Sequence, residues 1–370
     1  MPQYDADLIS PPDIMSALLD ATPSLLNDYR ALIRPIRDER DAIRSLYQDR
    51  GMISALPEGE PIHPVGCTDG ALVVSPLALG DHLAALTVAV GRDETGGVGV
   101  VAHRAWSALR PHSADGAALV KAIMMANEIG LQPTLPDASV RLIDGSWTTP
   151  LIAILTALAS VEDHVRDAVI AHLEEHRIVE AITATVAHRL TVACPKSDSS
   201  MDLWADCREH LGLRDFGLPD KVLASLILED GEVLTSQNRT PTWSRFYATL
   251  GQVRDNQART VATSISDAIE PLRQGHPQII HAKPHGAAQA IRMEMHPSLD
   301  QFEIDDVVHS IAATVASPGI QEPLAQYVAD VFAKNIYAGV EVQMENLRLD
   351  LVDSADMGYF EYLVRQYRTA

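Results

Sequence analysis

The sequence predicts one α/β domain with a mixed central sheet, helices on its faces and a helical region before it. Three runs rich in β-branched residues come early and are read as strands: Val65–Ser75, His82–Val90 and Val98–His103. Helical periodicity then alternates with short apolar runs through the rest of the 370 residues. Strand runs followed by helices favour one sheet-centred α/β domain.

The first part of the chain, residues 11–50, has apolar residues near helical spacing, with a plausible start at Pro11-Pro12-Asp13 and interruptions at Pro23 and Pro35. Its basic residues have two interpretations, a solvated helix face paired with nearby acids or a DNA-contacting arm, and we favour the first. These basic residues are Arg34, Arg37, Arg40, Arg44 and Arg50.

Residues 51–64 hold three prolines and are predicted to be a linker.

Helices and strands alternate after the three early strands. A helix is predicted over Ala117–Ile129, a strand over Val140–Asp144, a long helical region over about 148–188 and a strand over Leu190–Pro195. Further helices are predicted near 201–211, 219–227, 303–315 and 322–336, and short strands near 232–235, 244–250, 278–282 and 290–296.

Composition predicts a soluble globular protein of the cytoplasm. The hydrophobic share is 46%, and no apolar stretch approaches the roughly 20 uncharged residues that span a bilayer. The N-terminal residues have no basic segment followed by an apolar one, so no secretion signal is predicted. Cys67, Cys194 and Cys207 cannot form a full disulfide set and lack zinc-site spacing, which favours a reducing compartment.

The charge balance limits the possible functions. With 29 basic and 50 acidic residues, the net charge is −21. This argues against a general nucleic-acid coat protein, because phosphate binding needs positive charge. It leaves room for a nuclease in which metal ions neutralise the scissile phosphate. The sequence has no phosphate-cradling P-loop and no Gly-x-Ser-x-Gly elbow, so ATP hydrolysis and a Ser–His–Asp hydrolase are not expected.

Two Asp-Gly dipeptides stand at apolar runs, at Asp69-Gly70 and at Asp144-Gly145. Aspartates placed this way on two strands suggest one divalent-metal site. Asp-Gly is also a common turn signal, so simple turns are the alternative. Asp115-Gly116 and Asp230-Gly231 are read as ordinary turns.

A metal-dependent phosphodiesterase needs further groups around such aspartates. Glu128 is the only carboxylate late in the helix before the second strand, and its alternative role is solvation of the helix end. Lys196 follows a predicted strand and precedes serines, which suits contact with a phosphate or an ordinary loop.

The order of these features resembles the NurA nuclease family. The shared features are an Asp-Gly on the first core strand, a carboxylate on an intervening helix, a strand ending in Asp-Gly-Ser, a later strand ending in lysine, and a C-terminal helix of the form Pro-Leu-x-x-x-x-Ala-(Asp/His)-x-x-Ala-(Lys/Arg). Here they correspond to Asp69-Gly70, Glu128, Asp144-Gly145-Ser146, Lys196-Ser197 and 323–334. Residues 291–295 also resemble a family strand, and the resemblance spans about 60–340.

This resemblance implies an RNase H-like core with a mixed sheet and a manganese- or magnesium-dependent exo- or endonuclease for single-stranded DNA. It also implies a homodimer that works with a HerA-type hexameric ATPase in DNA end processing, repair or anti-phage defence. Asp69, Glu128 and Asp144 would be metal ligands, Lys196 would contact phosphate or the acids, and Asp330 takes the place of the C-terminal His/Asp.

The expected organisation is a helical N-terminal arm (1–60), a NurA-like nuclease domain (61–345) and a C-terminal tail (346–370). Two features depart from the family pattern. Glu322 stands where an aromatic residue is usual, and the helix before Glu128 has the apolar centre Ile123-Met124-Met125 in place of an acidic one. The alternative function is therefore a catalytically weak NurA-like adaptor that docks on the ATPase.

Overall fold

The structure is a computed structural model that describes residues 16, 19–77, 80–92, 96–196, 200–213, 218–236, 243–315 and 321–351. The predicted helix start at Pro11-Pro12-Asp13 and the serine after Lys196 lie outside these residues. The described part contains nine strands in one mixed sheet flanked by helices. The predicted mixed α/β fold is therefore confirmed.

The nine strands are β1 (Ile53–Ala55), β2 (Val65–Pro76), β3 (Asp81–Arg92), β4 (Val98–Arg110), β5 (Val140–Asp144), β6 (Thr191–Cys194), β7 (Glu232–Thr235), β8 (Gln278–Lys283) and β9 (Ile291–Met295).

The helices of the described residues are α1 (Thr22–Asp49), α2 (Gly116–Leu131), α3 (Thr148–Leu158), α4 (Asp163–Glu175), α5 (Ile178–Ala187), α6 (Asp202–Leu211), α7 (Asp220–Ile227), α8 (Trp243–Leu250), α9 (Asn256–Ala268), α10 (Glu270–Gly275), α11 (Gln301–Ala312), α12 (Leu324–Ala333) and α13 (Ile336–Leu351).

The sheet order is β1-β7-β8-β9-β6-β5-β2-β3-β4. Strands β2, β5 and β6 run parallel to one another, and the other neighbouring pairs are antiparallel. Helix α2 connects the β2–β3–β4 meander to β5, and α3–α5 connect β5 to β6. These crossover helices lie on one face of the parallel centre, and α11 and α12 cover the other face.

The two faces of the central strands belong to two apolar cores. Ile143 and Ala193 pack with the layer that contains α2–α5 and α9. Their neighbours Leu142 and Val192 pack on the opposite face, with α11 and α12. This assignment follows from the alternation of side chains along a strand. It also determines which side chains can meet at the ends of β5 and β6.

Helix α1 lies against α6 and α7 with Ile36, Ile43 and Tyr47 buried. Arg44 donates to both carboxylate oxygens of Glu232, at 2.6 Å for Oε2, and Arg50 contacts Asp206 at 2.8 Å. Neither the solvated face nor the DNA-contacting arm describes these two arginines, because they fasten the helix to the body. At the outer end, Arg34 and Asp38 form the expected i,i+4 pair at 3.6 Å.

Four sequence-based predictions differ from the structure. The strand predicted at 244–250 is helix α8, because Trp243, Phe246 and Thr249 are buried at a spacing of three. The region 148–188 is three helices, and Arg177 before the last has a left-handed φ of 50°. The predicted linker contains β1, which pairs with β7. Helix α1 begins at Thr22, with Pro23 in its first turn, and it continues through the interruption predicted at Pro35.

No helix of the described part is both long enough and apolar enough to cross a membrane.

Candidate active site

Strand register places the two predicted aspartates side by side. Thr68 pairs with Ile143 across the parallel β2/β5 pair, so the next residues, Asp69 and Asp144, lie at the same level. Asp144 pairs in turn with Cys194, the last residue of β6. The chain then continues to Lys196, two positions later and on the same side of the sheet by alternation. Three of the predicted site residues thus converge where β5 and β6 end.

The Lys196 ammonium is the centre of this cluster. Its Nζ donates to Asp69 Oδ2 at 2.8 Å and lies 3.1 Å from Asp144 Oδ2. Two further acids, Asp330 Oδ1 at 3.2 Å and Glu322 Oε2 at 3.7 Å, come from the α12 side. Lys334 also donates to Asp330, from Nζ to Oδ2 at 2.6 Å. Two ammonium groups thus face four carboxylates, and acidic groups stay in excess.

Burial and mutual repulsion shape the ionisation of these groups. Burial, together with the charge of Asp144, raises the pKa of Asp69 to about 6 despite the opposing effect of Lys196. Burial acts to lower the pKa of Lys196, but the charges of Asp144 and Asp69 outweigh it and raise that pKa. Burial alone would raise the pKa of Asp330, but hydrogen bonds from Lys334 and Lys196 lower it. Lys196 is thus a permanent cation.

Gly70 makes room for an acid from the opposite layer. A Cβ at this position would lie 2.6 Å from Met124 Cγ and 2.8 Å from Glu128 Oε1, both on α2. By alternation Gly70 faces α2 while Asp69 faces Lys196. The absent side chain lets Glu128 approach the backbone of β2 directly behind Asp69.

Glu128 is buried, with 2% of its surface exposed. Burial and the charges of Asp69 and Asp144 raise its pKa well above the ordinary value. Its Oε2 is buried and has no hydrogen-bond partner among the described residues. The helix-solvation alternative for Glu128 is therefore wrong, since the side chain points away from water. Its role as a metal ligand stays a prediction.

The Asp144 loop is held by a left-handed glycine and by a buried glutamate. Gly145 has a φ of 98°, which turns the chain from β5 towards α3. The Ser146 amide then donates to Thr149 Oγ1 at 3.2 Å. The Trp147 amide donates to Glu294 Oε2 at 3.1 Å, and the Trp147 indole donates to the Glu294 carbonyl. Asp144 therefore stands on an anchored turn.

Helix α12 contributes residues that the sequence interpretation missed. Gln326 donates from Nε2 to Asp144 Oδ1 at 2.9 Å and to the Cys194 carbonyl at 3.0 Å. Glu322 was noted only as a departure from the family pattern, yet it lies in the cluster. Gln326, Asp330 and the C-cap Lys334 recur every four positions, which places them on one face of α12, and Glu322 stands just before the helix with the same spacing. That polar stripe was the available signal.

The two other Asp-Gly dipeptides behave differently from the site pair. Gly231 has a φ of 79° in the connection before β7, as an ordinary turn requires. Asp115 immediately precedes α2, so Asp115-Gly116 opens a helix and does not close a hairpin. The turn prediction is confirmed for Asp230-Gly231, and at Asp115-Gly116 the turn holds Asp115 and runs directly into the helix.

No group of three His, Cys, Asp or Glu side chains in the described part is gathered tightly enough to form a metal site as it stands. Lys196 lies at the point on which the carboxylates converge. The donor set nevertheless suits a divalent cation, because hard cations prefer carboxylate oxygens and Glu128 Oε2 lacks a donor. The nearby thiols do not compete for this role, since burial raises the pKa of Cys194 to about 12.

The fold and the site define a mixed α/β protein with an acidic cluster at the ends of parallel strands. Among solved structures, the chain is similar to the NurA nuclease from Sulfolobus solfataricus, with a TM-score of 0.58 and 14% identity over 92% of this chain and 98% of that one. A second NurA structure matches with a TM-score of 0.54 and 12% identity over 94% and 99% of the two chains. The chain therefore has the NurA fold.

Two further similar structures contain small ligands. One is NurA with manganese, at a TM-score of 0.54, and the other is NurA bound to dAMP and manganese, at 0.53; each is 12% identical to this chain. They cover 87% and 83% of this chain, and 98% and 92% of their own. No protein-family model and no curated protein matches the sequence.

Proposed function

We propose that the protein is a metal-dependent DNA nuclease that hydrolyses phosphodiester bonds in single-stranded DNA, as an exo- or endonuclease. The carrying observation is the convergence of Asp69, Asp144 and Lys196 at the ends of parallel strands, with Glu128 buried behind Gly70. The NurA fold, and the manganese and dAMP in structures that share it, support the same function.

The strand order β4-β3-β2-β5-β6 supports an RNase H-like core, which we infer for these five strands. Asp69, Glu128 and Asp144 would hold Mn²⁺ or Mg²⁺. Such a cation, when bound, activates water and neutralises charge on the scissile phosphate.

The chain's own residues have separate tasks. Lys196, a permanent cation, would contact a phosphate oxygen once a metal shares its carboxylates. Asp330 orients Lys196 from α12 through its contact with Nζ, while Gln326 orients Asp144.

The test is cleavage of 5′-labelled single-stranded DNA by the purified protein with manganese. Asp69→Ala and Asp144→Ala should each lower the rate by about 10³-fold or more, since they remove charge stabilisation from the site. Asp230→Ala is the matched control, because it alters an Asp-Gly in an ordinary turn and should keep full activity. Full activity in Asp69→Ala would overturn the proposal.

The second candidate is a catalytically weak adaptor that docks on the ATPase. The position of Lys196 favours the adaptor, because its ammonium group already lies among the acids that would hold a metal. Calorimetric titration with manganese separates the two functions. Binding that Asp144→Ala abolishes supports the nuclease, and no binding by the wild type, alone or with the ATPase, supports the adaptor.

We further propose that the protein forms a homodimer and works with a HerA-type hexameric ATPase in DNA end processing or anti-phage defence. The support is the NurA fold alone. Light scattering after size exclusion measures the dimer, and co-purification of the two proteins measures the complex. A monomer that does not bind the ATPase would contradict this assignment and leave the nuclease test untouched.

A further inference from the structure

A cavity of about 370 Å³ opens beside the turn that carries Asp144. Ser146, two residues after that aspartate, is part of its wall. The remaining wall comes from α2, α3 and α8, and its polar members are two cations and a group of hydroxyls: Lys121, Arg245, Ser146, Thr148, Thr149 and Thr156. The cavity thus lies on the α2–α3 side of the Asp144 turn, while the acidic cluster lies on its α12 side, and the charged residues of the two have opposite signs.

The walls of the cavity are firmly built. Trp243 and Phe246 are buried on either side of Arg245, so α8 is fastened to the body at this point. Ser146 Oγ lies 3.0 Å from both Thr148 Oγ1 and Thr149 Oγ1. The left-handed Gly145 and the Trp147–Glu294 contacts hold the same turn. The hydroxyls are therefore preorganised, which lowers the cost of binding a ligand.

The charges of the cavity are unusual for this molecule. The chain carries −21, and most arginines whose contacts are described above are paired with acids. Lys121 and Arg245 have exposed side chains, and neither contacts an acid within the described residues. These two cations lie beside the linked hydroxyls of Ser146, Thr148 and Thr149, a composition that suits an anion. Among biological anions, phosphate matches this mixture of charge-assisted and hydroxyl hydrogen bonds.

We propose that this cavity binds a backbone phosphate of the single strand, at a nucleotide next to the one held at Asp69 and Asp144. This inference rests on the proposed nuclease function. Lys121 and Arg245 supply the charge, and Ser146 and Thr149 supply directed donors. The cavity would hold the strand in register while the acidic cluster, which repels phosphate, receives it together with a metal.

The test uses the full-length protein with a short fluorescent oligothymidylate in EDTA, so that binding is measured without metal or cleavage. The variant is Lys121→Gln/Arg245→Gln. Its control is Arg30→Gln/Arg92→Gln, which removes the same charge from exposed positions outside the cavity. The affinity for the oligonucleotide should fall about tenfold in the cavity variant. The slope of log K against the logarithm of the salt concentration should become shallower by about 0.7 for each lost phosphate contact. The control should change both quantities far less.

Thymidine monophosphate separates a strand phosphate from a free nucleotide. The monophosphate should compete only weakly with the oligothymidylate for the protein. The concentration at which it competes should be the same for the cavity variant and the wild type. Equal affinity losses in the two double variants, or a monophosphate that binds as tightly as the oligonucleotide, would overturn the proposal. The control for folding is the thermal unfolding curve, which both double variants should share with the wild type.

These outcomes are independent of the nuclease test. If the wild type fails to cleave DNA with manganese, the proposed function fails while the metal-free binding comparison still stands. If cleavage is normal and the cavity variant binds and cleaves DNA like the wild type, only the phosphate site fails.

Discussion

The two Asp-Gly segments of the site use the same dipeptide for different physical reasons. At Asp69-Gly70 the backbone is an ordinary strand, and the glycine is needed because Glu128 and Met124 occupy the space of a side chain. At Asp144-Gly145 there is room except for Thr149, at 3.2 Å, and the glycine is needed because φ is 98°. One glycine serves packing between layers, and the other serves a turn.

A short motif therefore does not determine its own structural role. Gly70, inside strand β2, lets Glu128 of the opposite layer lie close to the backbone beside Asp69. The turn glycine leads the chain to Ser146 and to the cavity beside α3. Two copies of one dipeptide therefore lead to two different surroundings, the buried Glu128 in one case and the cavity in the other.

Substituting each glycine by alanine should separate these roles most strongly. Gly70→Ala should lower the free energy of unfolding by about 3 kcal/mol through overpacking against α2. It should also lower the DNA cleavage rate about a hundredfold by displacing Glu128. Gly145→Ala should cost about 1 to 2 kcal/mol through its left-handed φ, with a smaller loss of activity. Urea unfolding and single-turnover cleavage measure the two effects.

A matched control exists in the Asp230-Gly231 turn. The ring of His285 lies within 2.1 Å of a Cβ built on Gly231, so Gly231→Ala also destabilises the protein, but far from the site. It should unfold more easily while the folded fraction cleaves DNA normally. If Gly70→Ala behaved in the same way, the role of Gly70 in admitting Glu128 would be disproved.

The second prediction concerns the buried acid behind Gly70. Glu128 has a raised pKa in the folded protein, so above its ordinary value of 4.5 folding requires a proton that the unfolded chain has released. Wild-type stability therefore falls as pH rises from 4.5 towards the folded pKa. Glu128→Gln has no such proton. Its free energy of unfolding should therefore rise relative to that of the wild type by up to about 1.4 kcal/mol per pH unit in that window.

Urea unfolding in EDTA at several pH values measures this difference. Manganese should reverse the order, because a cation stabilises ionised Glu128 and the amide binds it poorly. Equal pH dependence in the two proteins would mean that Glu128 is not the buried acid described here.

The smallest expected effect is on the Asp144 side, where Gln326 orients the carboxylate. Gln326→Leu keeps the apolar packing but leaves the Cys194 carbonyl and Asp144 Oδ1 without a donor. The free energy of unfolding should fall by about 1 to 2 kcal/mol, and cleavage should slow by a modest factor. Tyr327→Leu, on the exposed side of the same helix, is the control and should change neither quantity.

Much of the fold was predictable because long periodic segments carry strong signals. Helix α2, strand β5 and the early strands follow directly from their apolar patterns. The error at α8 has a physical cause. Its aromatic residues Trp243, Phe246 and Tyr247 favour a strand, but the buried residues recur at every third position, as in a helix. Local preference was overridden by packing against α3.

The site was predictable in part. Asp69, Asp144 and Lys196 lie close together because of the order and register of β2, β5 and β6. The resemblance to a family predicted which residues would be brought together. Glu322 and Gln326 were missed, because polar residues at four-residue spacing are also typical of a solvated helix face. Lys121 and Arg245 are 124 positions apart in sequence, 245 minus 121, and no local pattern connects them.

The distance along the chain between the first and last site residues has a consequence for biosynthesis. Asp69 is synthesised long before Gln326 and Asp330 of α12, and Asp330 joins the cluster through its contact with Lys196. Loop closure over so many residues is slow, so the acidic cluster is among the last parts to assemble. A ribosome-bound or prematurely terminated chain can hold the central sheet without a complete cluster, and such chains would carry the cavity beside Ser146 but not all of the acidic residues.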